Sequence, residues 1–239
     1  MKRSILTPLI LAVAALSAFA FGHALFGNGN LKTETRKASG FAAVDMSGVG
    51  SLRLRRGPSH SVKVTLDENL LEAYESRVER GTLVLGFKNL TTVNRLTKLV
   101  VEVTMPELDG LSLSGAAEAE LVDAFSGDRF EYSSSGASVL SGTIDYDELV
   151  IDVSGGGSTT LSGRAGEALV KLSGASRLEG ERLATKISRL GLSGASSVSI
   201  RASDRLEGSA SGASTVRYFG KPRFSVGTSG ASSVTRAGD

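Results

Sequence analysis

The stretch "LVKLSGASRLEG", Leu169 to Gly180, carries a Ser-Gly-Ala-Ser phrase that the chain repeats with small changes. Aligned on its glycine, the phrase falls at Gly115, Gly136, Gly155, Gly174, Gly194, Gly212 and Gly230, at intervals of 21, 19, 19, 20, 18 and 18 residues. A serine precedes each one: Ser114, Ser135, Ser154, Ser173, Ser193, Ser211 and Ser229. Alanine follows in six cases and Gly156 in the seventh. Four places after the glycine stand Ala119, Leu140, Thr159, Leu178, Val198, Val216 and Val234. Mostly apolar residues also stand two and four places before it, as in Leu111-x-Leu113 and Ile151-x-Val153.

A fixed period near 20 residues is the mark of a solenoid, whose repeats bury their apolar sides only against one another. The pattern inside each repeat decides which solenoid. Leu190-x-Leu192 before the phrase and Val198-x-Ile200 after it alternate every second residue, which is strand spacing. Helical repeats would show three- and four-residue spacing, and the frame of leucine-rich repeats is missing. The reading is all-β: a parallel β-helix with coils of about 18–21 residues.

Glycine turns through positive φ without steric penalty, so Ser-Gly is read as the bend of each coil. Coils stack about 4.8 Å apart, so like residues lie over like residues and seven coils make a rod about 30 Å long. The phrase is therefore read as a structural turn ladder. Its serine hydroxyls are expected to bond along the ladder or to free backbone groups at the bend. Its alanines are expected to fill the corners, so that enlarging Ala175 or Ala195 would cost about 1–3 kcal/mol.

The 239 residues are 41% hydrophobic, enough for a core, with 29 glycines, no cysteine and no tryptophan. Residues 1–20 read as a signal peptide: Lys2 and Arg3, an apolar stretch from Ile5 to Leu16, and the small-residue site Ala18-Phe19-Ala20. The alternative is an uncleaved anchor from Ile5 to Phe21, which is short for a bilayer and interrupted by Pro8 and Ser17. Cleavage after Ala20 leaves 25 basic and 25 acidic residues, so no basic face for nucleic acid is expected. Zero cysteine excludes disulfides, thiol catalysis, thiolate zinc sites and iron–sulfur clusters.

Ahead of the repeats, residues 21–39 read as a flexible leader, and 40–106 as a strand-rich half that continues or caps the solenoid of 107–239. In that half Arg53, Arg55 and Arg56 read as a solvated strand face, Asp67 to Leu71 as one helical turn and Lys88 to Thr97 as a loop. Glu79-Arg80-Gly81 reads as the turn of a hairpin. The succession GFAAVDMSGVGSLRLRRG, VKVTLDENL, VERGTLVLGF and VVEVTMPELDGLSLSGAA, followed by SGAS coils, resembles the GIN head-domain family of auto-transporter adhesins. The resemblance spans roughly residues 38 to 235. It implies a right-handed parallel β-helix in an exported, envelope-associated bacterial protein, periplasmic or on the cell surface, and it carries no catalytic residues across. Unlike an auto-transporter, the chain is expected to carry no membrane barrel after the repeats, which run on to the neighbourhood of Asp239.

Candidate chemistry is thin. His23 and His60 are far apart in sequence and read as solvated. Asp145, Asp147 and Asp152 form the densest acid cluster of the repeats, suited in principle to Ca²⁺ or to glycoside hydrolysis, but Tyr146 and Leu149 interleave with them as on an outward polar face. Gly155-Gly156-Gly157 lacks the Gly-Lys-Ser/Thr of a phosphate loop. No catalytic residue, metal site or cofactor is expected. The leading expectation is a non-enzymatic binding or adhesion module for extended glycans or other envelope components, its specificity set by outward residues such as Lys171, Arg177 and Glu179. Two other readings are a carbohydrate-active enzyme and a self-assembling unit pairing through its C-terminal coil. Membrane association is expected only through the N-terminal segment.

Overall fold

Glycine stands over glycine along one edge of the molecule. The computed structural model describes residues 23–88 and 91–238, and the first twenty residues, read as a signal peptide, lie outside them. The strands are β1 (His23–Phe26), β2 (Leu31–Arg36), β3 (Ala43–Arg56), β4 (Ser61–Asp67), β5 (Tyr74–Glu79), β6 (Thr82–Phe87), β7 (Thr91–Arg95), β8 (Val100–Met105) and β9 (Gly110–Leu121). The chain continues with β10 (Phe125–Gly136), β11 (Val139–Gly155), β12 (Ser158–Leu172), β13 (Arg177–Leu192), β14 (Ser197–Ala210), β15 (Thr215–Phe219), β16 (Arg223–Thr228) and β17 (Ser233–Gly238). From β3 onward the ladders run parallel through β9, β10, β11, β12, β13 and β14 to the shorter strands at the C-terminal end. The molecule is a β-solenoid of about seven turns.

In register, Gly48 of β3 faces Gly115, which faces Gly136, which faces Gly155. The column continues through amide bonds from Ala175 to the Gly155 carbonyl, Ala195 to Gly174, Ala213 to Gly194 and Ala231 to Gly212, each 2.7 Å. Every glycine in it has positive φ, from +69° at Gly230 to +101° at Gly48. Space is the second constraint. A Cβ on Gly174 would sit 2.5 Å from the Gly155 carbonyl oxygen, and one on Gly194 or Gly212 would meet the glycine carbonyl beneath it equally closely. Only a residue without a side chain satisfies both the dihedral and the stacking distance.

The rest of the phrase works differently from the sequence reading. Ala175, Ala195 and Ala213 are exposed, so they fill no corner. The buried position is the serine that follows: Ser138, Ser176, Ser196 and Ser214 are all at or below 1% exposure. Its hydroxyl turns back and donates to the carbonyl of the phrase's first serine, from Ser176 to Ser173 (2.6 Å), Ser196 to Ser193 (2.7 Å) and Ser214 to Ser211 (2.8 Å). A small polar side chain thus closes each bend from inside.

The side chains inside the coils form one continuous core from Phe41 to Val216. At the N-terminal end β3 is covered twice: its first half pairs with β6 and its second half with β8. The antiparallel partners β5, β4 and β2 complete the cover. The tight hairpin between β5 and β6 turns at Arg80 (φ +48°) and Gly81 (φ +78°).

Two segments differ from expectation. Within the leader, residues 23–36 hold β1, parallel to β7, and β2, antiparallel to β4 over six register pairs. Asp67 locks this arrangement. Its buried carboxylate accepts the Gly29 amide (2.7 Å), the Thr97 amide (2.8 Å) and the Thr97 hydroxyl (2.7 Å). The segment read as a loop, 88–97, contains β7. Both β2 and β7 are polar edge strands with few buried residues, so neither shows the alternation by which strands are recognised. The helical turn expected near Asp67 is a 3-10 turn, Glu68–Leu70. No helix among the described residues is long and apolar enough to cross a membrane.

Candidate functional site

A long concavity lies where the ladder is irregular. Between β13 and β14, Gly180 faces Ile200 but Ala184 faces Arg201, so residues 181–183 have no partner in β14, although Arg182 and Leu183 stay paired with Ser162 and Gly163 of β12; Leu183 is buried. The next coil is shorter, which is the origin of the fall in repeat interval from 20 to 18. At this corner lies a groove of about 670 Å³ that runs across five successive coils, from Asp145 to Lys221. At one coil per 4.8 Å it is about 19 Å long.

Its floor is made of small residues: Ala165, Ala184, Thr185 and Ala202. Thr185 is buried and spends its hydroxyl internally, on the Arg201 carbonyl (2.8 Å) and against Ser188 (2.7 Å). Tyr146 closes the N-terminal end. Its ring stacks on Phe130 with centroids 5.5 Å apart, and its hydroxyl donates to the Leu108 carbonyl (2.6 Å). Burial pushes that phenol well above its ordinary range, so it stays neutral. The rim carries the charge. Asp145 pairs with Arg164, and Asp147 lies beside them, while Lys186, Arg201 and Lys221 follow toward the C-terminal end. The Arg201 guanidinium is held over the Phe219 ring, 5.3 Å from its centroid, and its Nε donates to the Glu181 carbonyl (3.2 Å).

The three aspartates singled out in the sequence are not brought together: Asp145 and Asp147 line the groove, whereas Asp152 stands in register with Lys171. Among the described residues no group of three or more His, Asp or Glu could hold a metal ion. His60 is pinned, its Nε2 2.8 Å from the Phe41 carbonyl oxygen and its ring 4.4 Å from that of Phe41. His23 lies in β1. Gly155, Gly156 and Gly157 belong to the turn column, where the Gly156 amide donates to Gly136 (2.7 Å). Arg53 bonds Glu120 in the neighbouring coil, and Arg56 bonds Ser126. Arg177 and Glu179 border a smaller polar pocket of about 360 Å³. The groove itself was not legible in the sequence, since its cations and alanines are scattered from Arg164 to Lys221. The two-residue shortening of the repeat was its one sequence trace.

Solved structures share this fold, among them the following three. A protein described as a putative adhesin from Bacteroides fragilis NCTC 9343 has a TM-score of 0.83 at 20% identity, covering 88% of this chain and 98% of that one. One described as a putative lipid binding protein from Parabacteroides distasonis ATCC 8503 has a TM-score of 0.75 at 20% identity, covering 90% and 100%. A putative adhesin from Parabacteroides merdae ATCC 43184 has a TM-score of 0.69 at 22% identity, covering 88% and 98%. No curated protein matches the chain in sequence. Residues 40–222 match the family described as "Putative auto-transporter adhesin, head GIN domain", and the chain belongs to that family.

Proposed function

We propose that this chain is an exported, envelope-associated adhesion module that binds an extended polymer, without chemical turnover, along the axial groove. The observation that carries the reading is the groove itself: five coils contribute to one continuous trough whose floor is pared down to alanine and threonine. A trough parallel to the solenoid axis suits a linear ligand, which meets the same spacing coil after coil. The family to which the chain belongs, and neighbours described as adhesins, support the same reading. Of the two acids in the trough, Asp145 is already engaged by Arg164, which speaks for recognition over paired acid–base catalysis. Export rests on the N-terminal segment, and the mature protein is expected to begin at Phe21, as read by N-terminal sequencing of chain recovered from the envelope.

Ala184 is exposed on the groove floor, so a large side chain there fills the trough without entering the core. Retention of bacterial or host cells on immobilised protein, and binding to a glycan array, should fall about tenfold or more in Ala184→Trp with an unchanged melting temperature. Equal binding by wild type and Ala184→Trp would remove the groove as the site.

A further inference from the structure

We infer that a second site, on the face that follows the glycine column, takes a sugar bearing one tetrahedral oxyanion ester, a sulfate or a phosphate. It is the polar pocket of about 360 Å³ bordered by Arg177 and Glu179, and it shares no lining residue with the groove. Arg177 and Arg182 on β13 and Arg217 on β15 supply its cations, and Glu179 and Glu181 its acids. Three guanidiniums against two carboxylates leave a net charge of +1. Elsewhere facing coils set opposite charges in register and close the pair, as Arg53 with Glu120 at 3.1 Å and Arg189 with Glu207 at 2.8 Å. The pocket departs from this rule. Arg177 faces Ser158 and Ser197, Arg182 faces Ser162, and Arg217 faces Ser199 and Thr235, so no acid is in register with any of the three. Among the described residues the side chains of Arg177 and Arg182 have neither a hydrogen bond nor an ion pair. Arg217 comes no nearer than 4.0 Å to Glu181. An arginine on a flat face is simply solvated; these three line one concavity with their donors unspent.

The arrangement narrows the ligand. Arg177 and Arg217 flank β14, each about 4.8 Å from it, and the half-buried Ser197 and Ser199 of that strand lie between them. An anion seated over the two serines is within reach of arginines from both sides. A carboxylate has two oxygens and is satisfied by one guanidinium fork, whereas a sulfate or phosphate ester presents three terminal oxygens to three donors. The two glutamates select the rest of the molecule. They repel a second anionic group and accept hydrogen bonds from hydroxyls, which a sugar supplies next to its ester. Glu179 has capacity for this, since its bond from the Thr160 hydroxyl is long, 3.4 Å. The volume is at the small end of ligand pockets, which run from about 300 to 1,000 Å³, and suits one sugar residue.

The test is calorimetric titration of the full chain, at about 0.15 M salt, with N-acetylglucosamine-6-sulfate and N-acetylglucosamine-6-phosphate. Unmodified N-acetylglucosamine, glucuronate and inorganic sulfate serve as comparators. Binding of an ester is expected, with all three comparators weaker by about tenfold or more, and the tighter of the two esters names the anion. The double variant Arg177→Ala/Arg182→Ala should weaken it about tenfold or more, and Arg177→Lys, which keeps the charge and loses the fork, about threefold. Lys63→Ala, an exposed cation on β4, should change it by less than about twofold. Arg177 and Arg182 are exposed, and melting curves check that the variants fold; if the double variant melts early, Arg177→Lys carries the comparison. The inference is overturned if neither ester binds at about 10 mM, if glucuronate or the unmodified sugar binds as tightly, or if the folded arginine variants bind as wild type does. Inorganic sulfate binding as tightly as the esters would overturn the part assigned to the glutamates and the sugar. None of these outcomes bears on the groove, which Ala184→Trp tests by itself.

Discussion

At the scale of single residues, the repeated phrase divides its labour among four positions, and substitutions should separate them. Gly174→Ala imposes a left-handed dihedral on a side chain and drives its Cβ to 2.5 Å from the Gly155 carbonyl. A loss of about 2 kcal/mol or more is expected in chemical denaturation. Its exposed neighbour is the control: Ala175→Leu should change stability by less than about 0.5 kcal/mol. Ser176→Ala falls between them. It removes the 2.6 Å bond to Ser173 and leaves that part-buried carbonyl one partner short, a loss of about 1 kcal/mol. The alternation of apolar residues made the inward columns readable in advance, as at Leu190, Leu192 and Val198. The inward serine was not readable, because a lone polar residue carries the same signature whether it faces water or a carbonyl.

At the scale of elements, the N-terminal strands depend on one carboxylate. Burial alone would raise the Asp67 titration, but the bonds from the Thr97 amide and hydroxyl and from the Gly29 amide outweigh it and hold the group below the ordinary carboxylate range. A depressed folded-state value means that its stabilisation is complete above the unfolded value, about 3.9, and drains away as pH falls through the folded value. Asp67→Asn should therefore lower the melting temperature at neutral pH, and the gap from wild type should close in acid below about pH 4. If the gap stays constant down to pH 2, the carboxylate is not the lock. Strand β2 escaped recognition because it is polar on both faces and β1 because it is only four residues long, and the partners of both lie 26 to 69 residues away. The β5–β6 hairpin was readable because its partners are adjacent and its turn residues are distinctive.

At the scale of the whole molecule, the two ends of the solenoid differ. The first coil is covered by β6, β8 and their antiparallel partners, whereas Val226 and Val234 in the last strands are only half-buried and Phe224 is 46% exposed. Hydrogen exchange should follow this gradient, with amides of β10 to β13 protected longest and those of β16 and β17 exchanging earliest. Uniform protection along the solenoid would contradict it. The sequence by itself determined the architecture, since a 20-residue period with two-residue alternation and a glycine at each bend admits only chain segments stacked in register. Tertiary structure alone decided the groove, because it depends on residues 181–183 losing their partners in β14 and on which side chains from five coils then share one corner. Periodicity is a local property of the chain, written anew in each repeat; juxtaposition across coils exists only once the register is set.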